Sequence, residues 1–288
     1  MIATTFDYES PATVDEAVRL LARTPDAKVL AGGHSLLPLM KLGLAQPSAL
    51  IDIGRIKALR DIRVASDAIT IGALASHQSI ADHPAIRERL TALSEAAGSV
   101  GDLQVRVRGT IGGSLAHADP AADEPAAILA FDASLTAVGP GGERTIAAAD
   151  FFKGTFETAL GPGEILTAIR IPTPPPKTGS AYVYFPHPAS RFAIAGAAAV
   201  ITLGGDARIS RAAVGITGVS TAPFRAASLE RALQGASTDA TGIAKAADRV
   251  TEGVTALEDL TASSEFRLHL ATVYARRALE NAIGRART

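Results

Sequence analysis

Two stretches of the chain set paired glycines beside hydroxyl side chains: Ala31-Gly32-Gly33-His34-Ser35-Leu36-Leu37 and Thr110-Ile111-Gly112-Gly113-Ser114. Glycine has no Cβ and tolerates positive φ, so such a bend lets bare backbone N–H groups approach a phosphate. Two of them predict a pair of bends that jointly grip one diphosphate. Each also has a plainer reading. The first serves equally as a strand-to-helix turn with Ser35 as the helix cap. In the second, Thr110 to Ser114 offers several donors in a row, while Asp119 and Asp123 either accept from sugar hydroxyls or cap the next helix. The first stretch lacks the Lys-Ser/Thr of a phosphate-binding P-loop and the Gly-x-Gly-x-x-Gly of a standard nicotinamide site. Nor does Ser35 sit in the Gly-x-Ser-x-Gly elbow of an acyl-transfer hydrolase.

Composition narrows the chemistry further. Cysteine is absent from the 288 residues, which excludes disulfides, thiolate nucleophiles and any iron–sulfur cluster held by this chain alone. Redox work would need an organic cofactor. None of the six histidines is spaced to place two ligands on one helix face, so no metal ligand is expected. With 28 basic and 29 acidic residues, no overall field draws the protein to nucleic acid or to an anionic membrane. No apolar run is long enough for a membrane span, and Met1 to Glu9 shows no signal-peptide pattern, so the expected compartment is the cytoplasm.

The elements that would position these stretches can be read from periodicity. Thr13 with Glu16 forms a capping box ahead of a stripe of Val14, Ala17, Val18 and Leu21. Lys28 to Ala31 reads as a buried strand, followed by the first bend, a helix from Leu39 to Leu44 and a strand from Ala49 to Ile53, a compact βαβ-like unit. Ile62 to Val64 and Ala68 to Ile71 read as a hairpin. Pro84 opens one helix with Ile86, Leu90, Leu93 and Ala97 on a face and Gly98 as its stop. Asp123-Glu124-Pro125 starts an alanine-rich helix to Ala130, and strands follow at Leu135 to Val138 and Ile165 to Ile171. Pro172 to Pro176 reads as a stiff spacer. Beyond it, strands at Ala193 to Leu203 and Arg208 to Gly218 precede a helix from Glu265 to Ile283, which implies an α+β unit.

Three smaller features stay open at this level. Arg106 and Arg108 alternate with Val105 and Val107 as in a strand edge or extended loop, contacting solvent, phosphate or a partner protein. His117 has no evident partner. His187 to Phe192 is either a tight turn or a loop that places an aromatic and a cation beside a planar ligand.

Taken in order, Ala31 to Pro38, Gly109 to Pro120, Phe151 to Leu160 and Glu164-Ile165-Leu166 resemble the FAD-binding medium subunit of the carbon monoxide dehydrogenase and xanthine dehydrogenase family of molybdenum hydroxylases. The resemblance spans essentially the whole chain. It implies an α+β fold: a two-part FAD-binding domain of the vanillyl-alcohol-oxidase-like (PCMH) type over residues 1–55 and 56–175, then a CO dehydrogenase flavoprotein C-terminal domain over 176–288. It implies noncovalent FAD held by Ala31, Gly32, Gly33, His34, Ser35, Leu36 and Leu37, by Thr110, Ile111, Gly112, Gly113 and Ser114, by Asp123 at the sugar or ribityl region, and by Leu166 near the ring or adenine. These are binding roles, and no catalytic residue is named. A molybdopterin-binding large subunit and a [2Fe-2S] small subunit are the implied partners, in a dimer of heterotrimers. The chain would then pass electrons from the clusters through FAD to an external acceptor. A cofactor-free assembly module and a free-standing flavin oxidase are the rival readings. Members often have asparagine where Val107 stands, lysine where Phe185 stands and an acid near Arg191, departures that bear on the acceptor and the flavin potential.

Overall fold

The computed structural model describes residues 5–288; Met1 to Thr4 of the opening stretch lie outside the described residues. A three-stranded parallel sheet comes first, with Ala49–Asp52 between Asp7–Glu9 and Lys28–Leu30. Half of the expected capping box forms: Thr13 accepts from the Glu16 N–H, but the Glu16 carboxylate accepts from Ala12 N–H, one residue before the cap; Ala17 and Val18 bury against this sheet. The Lys28–Leu30 strand is only half-buried, because it is an edge strand. The helix after the first bend runs Leu36–Lys41, so it starts earlier than its apolar residues suggested.

A five-stranded antiparallel sheet follows, ordered Ile62–Val64, Ala68–Gly72, Ile165–Pro172, Ser134–Gly139, Gly142–Ala147. The first two strands are the expected hairpin. The single helix expected from Pro84 is two, Pro84–Arg89 and Thr91–Ser99, because Leu90 leaves helical geometry at φ −127°, ψ 47°. Ile86, Leu90, Leu93 and Ala97 are nonetheless all fully buried, so the apolar face continues across the break. Gly98 lies inside the second helix, and the left-handed residue beyond it is Gly101.

The C-terminal sheet orders Thr178–Pro186, Ala193–Leu203, Ile209–Thr217, Phe224–Arg225, all antiparallel. Every residue of Ala193–Leu203 is buried, and its alternation has a consequence for the whole molecule. Ala198 and Val200 face the core of the preceding region, whereas Ala197, Ala199 and Ile201 face the core beneath the Ser264–Ala286 helix. The close approach depends on glycine: a Cβ on Gly215 would collide with the Ala126 carbonyl oxygen. The proline run therefore does not set two independent bodies apart. Pro172 itself pairs with Ala68 as the last residue of a strand, where its missing N–H costs nothing, and the C-terminal sheet begins at Thr178. No helix among the described residues is long and apolar enough to cross a membrane.

Candidate functional site

The two glycine stretches meet. A Cβ on Gly32 would collide with the Arg108 carbonyl oxygen and stand 2.8 Å from the Gly109 Cα, so the first bend lies directly on the backbone leading into the second stretch. On the other side, an ideal Cβ on Gly113 would lie 3.8 Å from the Cβ of Ala31. Gly33 adopts φ +76°, which turns the chain after the parallel strand. Among the described residues, the backbone N–H groups of Gly32, Gly33, His34, Ser35 and Leu36 have no acceptor, the first donor in use being Leu37 N–H to the Gly33 carbonyl at 3.1 Å. A consecutive run of open amides on a half-exposed bend has the donors that an anion needs. Ser35 does not cap the helix: it has helical geometry and its side chain makes no capping bond. His34 Nδ1 lies 3.0 Å from the Gly32 carbonyl oxygen, tying the ring to the bend.

The second stretch is built differently from the bend expected. Ile111–His117 is a helix with Thr110 as its N-cap. Its amides are committed inside the protein: Ile111 N–H donates to Ala75, Gly112 N–H to Ala73, Ser114 N–H to the Thr110 carbonyl and Gly113 N–H to Thr110 Oγ1. The row of donors is spent on anchoring the helix rather than on a phosphate. Gly112 is needed for contact instead, since a Cβ there would stand 2.5 Å from the Ala73 Cβ and 2.6 Å from its carbonyl oxygen. What this stretch leaves toward the first bend is the half-exposed Gly113; Ser114, beside it, is also half-exposed.

Asp123 is 4 % exposed and stands immediately before the Glu124–Ala130 helix. Its carboxyl makes no capping bond; Oδ1 accepts from the Tyr182 hydroxyl at 2.5 Å. Burial pushes this carboxyl up to about 7, with the Tyr182 hydrogen bond opposing the rise and the neighbouring Glu124 adding to it. Glu124 is fully buried, pairs with His77 Nδ1 at 2.8 Å through Oε1, and has no partner for Oε2 among the described residues. Burial works to lower the His77 pKa, but the Glu124 carboxylate overrides it and holds the imidazole above its ordinary value. Tyr182, His77 and Glu124 were not singled out from sequence. An acid at the head of an otherwise alanine-rich helix was the signal for Glu124; nothing local marked the other two.

Leu166 stands one residue before Thr167, whose carbonyl takes the Ala73 N–H, while the Ala73 carbonyl takes that of Gly112. It lies in the Ile165–Pro172 strand, buried in the core and paired with Ala137, beside a bulge between Leu166 and Ala168. Arg106 ends a short helix, Leu103–Arg106, in place of the extended segment expected; it donates to Gln78 Oε1 at 2.9 Å and to the Val100 carbonyl at 3.1 Å. Asp119 neither caps a helix nor stands free: its Oδ1 accepts from Ala121 N–H at 2.9 Å. His117 packs on Phe156 with the rings tilted by 33° and their centroids 4.9 Å apart, and burial lowers its pKa. His187 to Phe192 is a tight turn, closed by His187 N–H to the Phe192 carbonyl at 2.8 Å, with Arg191 at φ +64° and its guanidinium 3.3 Å from the Tyr184 hydroxyl.

Comparison with known proteins agrees over the full length. Residues 4–174 match the model of the FAD binding domain in molybdopterin dehydrogenase, and residues 180–282 match that of the CO dehydrogenase flavoprotein C-terminal domain. The chain is 39 % identical to the carbon monoxide dehydrogenase medium chain of Hydrogenophaga pseudoflava, covering 99 % of each. It is 33 % identical to the nicotine 6-hydroxylase medium subunit of Paenarthrobacter nicotinovorans, covering 96 % of each. Among solved structures it superimposes on a chain of the H. pseudoflava carbon monoxide dehydrogenase with a TM-score of 0.95 at 40 % identity, covering 99 % of both. On quinoline 2-oxidoreductase from Pseudomonas putida 86 the TM-score is 0.94 at 31 % identity, covering 100 % of both. The chain belongs to the FAD-binding medium-subunit family of the molybdenum hydroxylases, oxidoreductases built from several subunits.

Proposed function

We propose that this chain holds one FAD noncovalently at the junction of its two glycine stretches and serves as the electron outlet of a molybdenum hydroxylase. In this reading it receives electrons from the [2Fe-2S] clusters of a small subunit, itself supplied by a molybdopterin-bearing large subunit, and delivers them to an external acceptor. Two copies of that heterotrimer form the complex. The observation that carries the cofactor assignment is the run of open amides from Gly32 to Leu36, laid where Gly32 has no Cβ to hold it off the Arg108–Gly109 backbone.

The residues fit the group. Gly32 to Leu36 would donate to the diphosphate, joined by the Ser35 and Ser114 hydroxyls, and Asp123 would accept from sugar hydroxyls. Bound FAD supplies the ability to exchange electrons singly with the clusters or in pairs with an acceptor. The protein's part is to fix the dinucleotide by its phosphates and set the local dipoles; it has no need of a general base. The absence of cysteine from this chain accords with clusters carried by a partner.

Denaturing the purified complex should release free FAD in stoichiometric amount, and acid precipitation should leave no flavin on the polypeptide. A flavin-free complex with full activity would overturn the assignment. Co-purification with two further chains, one carrying iron–sulfur absorption, tests the electron route.

A further inference from the structure

We propose that Tyr182 is a positioning residue of the flavin site: its phenol, supplied by the C-terminal sheet, fixes the Asp123 carboxyl so that it can accept from the cofactor's sugar hydroxyls. This rests on the reading that Asp123 faces the cofactor, and deepens it by naming what aims that carboxyl and from which part of the molecule.

Tyr182 is held at both ends. Its N–H donates to Glu95 Oε2 at 2.8 Å, in the Thr91–Ser99 helix. The other oxygen of Glu95 takes the Arg285 guanidinium at 2.5 Å, and Arg285 also donates to the Ser180 carbonyl at 2.6 Å, near the end of the last helix. The ring is buried and stacks on Tyr184 at 5.8 Å with an interplanar angle of 18°. With backbone and ring both fixed, a side chain with two torsions has no freedom left to move its hydroxyl. Asp123 has no such support of its own, since among the described residues the phenol is the only protein donor to its side chain.

The charged and titratable groups around Asp123 are Glu124 beside it, His77 from the His77–Asp82 helix, Tyr182 from the Thr178–Pro186 strand and Arg191 from the following turn; Tyr184 and Arg106 act at one remove on Tyr182 and His77. Burial is the largest influence on the carboxyl and drives it toward the neutral form; the Tyr182 hydrogen bond is the largest influence opposing it. Removing the hydroxyl alone therefore both releases the carboxyl and makes it harder to ionise. A purely structural role for Tyr182 would lower stability without moving that titration.

The test is FAD affinity of the full-length chain, by flavin fluorescence, from about pH 5.5 to pH 9, for wild type, Tyr182→Phe, Asp123→Asn and His77→Gln. Wild type should gain affinity as pH rises through a value near 7, where Asp123 ionises. In Tyr182→Phe the rise should move to higher pH, with affinity at pH 7 weakened about tenfold and far-UV circular dichroism unchanged. Asp123→Asn should lose the inflection, and His77→Gln should keep it. A flat wild-type profile, or a Tyr182→Phe profile superimposable on wild type, overturns the inference while leaving FAD binding intact. Should Tyr182→Phe not fold, persistence of the inflection in Asp123→Asn overturns it instead. Wild type that binds no FAD at any pH overturns the underlying reading and this inference with it.

Discussion

At the scale of single residues, the informative group is a buried carboxyl. Asp123 goes from its ordinary 3.8 to about 7 on folding, mainly because burial disfavours its charged form. The native state thus binds a proton more tightly than the unfolded chain, so stability is highest below the unfolded value and falls as pH rises toward 7, then levels off. Holding that carboxylate ionised costs folding roughly 4 kcal/mol at most. Asp123→Asn should therefore flatten the fall in denaturant stability between about pH 4 and pH 7; an unchanged slope would show that Asp123 is not the group responsible. Asp123 was legible as a candidate from its place in the motif. Its partner was not, because Tyr182 lies fifty-nine residues away on a strand that sequence reading passed over.

At the scale of elements, two similar glycine pairs do different work. The first stretch leaves its amides open; the second is the opening turn of a helix whose amides are satisfied internally. Gly112→Ala should therefore act mainly on stability, by about 1–3 kcal/mol from overpacking against Ala73, read as a shift of the urea midpoint. Gly113→Val should act on the cofactor, because its side chain would project toward Ala31 and Thr110 Oγ1. We expect that variant to lose bound flavin on gel filtration and Arg211→Ala to keep it. Arg211 pairs with Asp132 at an exposed position, a contact worth at most about 1 kcal/mol. Equal flavin retention in the two variants would refute the placement of the site. Periodicity showed where apolar faces lie, as with Ile86, Leu90, Leu93 and Ala97, but not the break at Leu90, which a backbone angle decides.

At the scale of the molecule, the C-terminal sheet is shared between two cores, and the segment leading to Asp123 is stitched to it. The Thr217 hydroxyl lies 2.8 Å from the Pro120 carbonyl oxygen and 2.6 Å from that of Ala122, Gly218 N–H donates to Pro120 at 2.7 Å, and Ala193 N–H donates to Ala121 at 3.1 Å. The buried Arg267 pins the same strand ends through the Ile194 and Gly218 carbonyls, at 2.8 and 2.6 Å. Thr217→Val removes one hydroxyl at nearly constant shape and takes from the Ala122 carbonyl its hydroxyl donor, whereas Pro120 keeps the Gly218 N–H. It should lower stability by about 1–3 kcal/mol and weaken FAD binding although it lies in the other sheet. Full FAD affinity together with lost stability would confine that contact to folding.

By itself the sequence determined which residue types stand where: the two glycine pairs, the missing cysteines, the strand-like run of Ala193 to Leu203, and the ordered motifs that mark the family. These are local or compositional properties, written in the order of side chains along the chain. Only the tertiary structure decided which amides stay open, that Asp123 is buried against a tyrosine, and that one strand serves two cores. Hydrogen-bond commitment and burial depend on neighbours distant in sequence, and no local pattern encodes who those neighbours are.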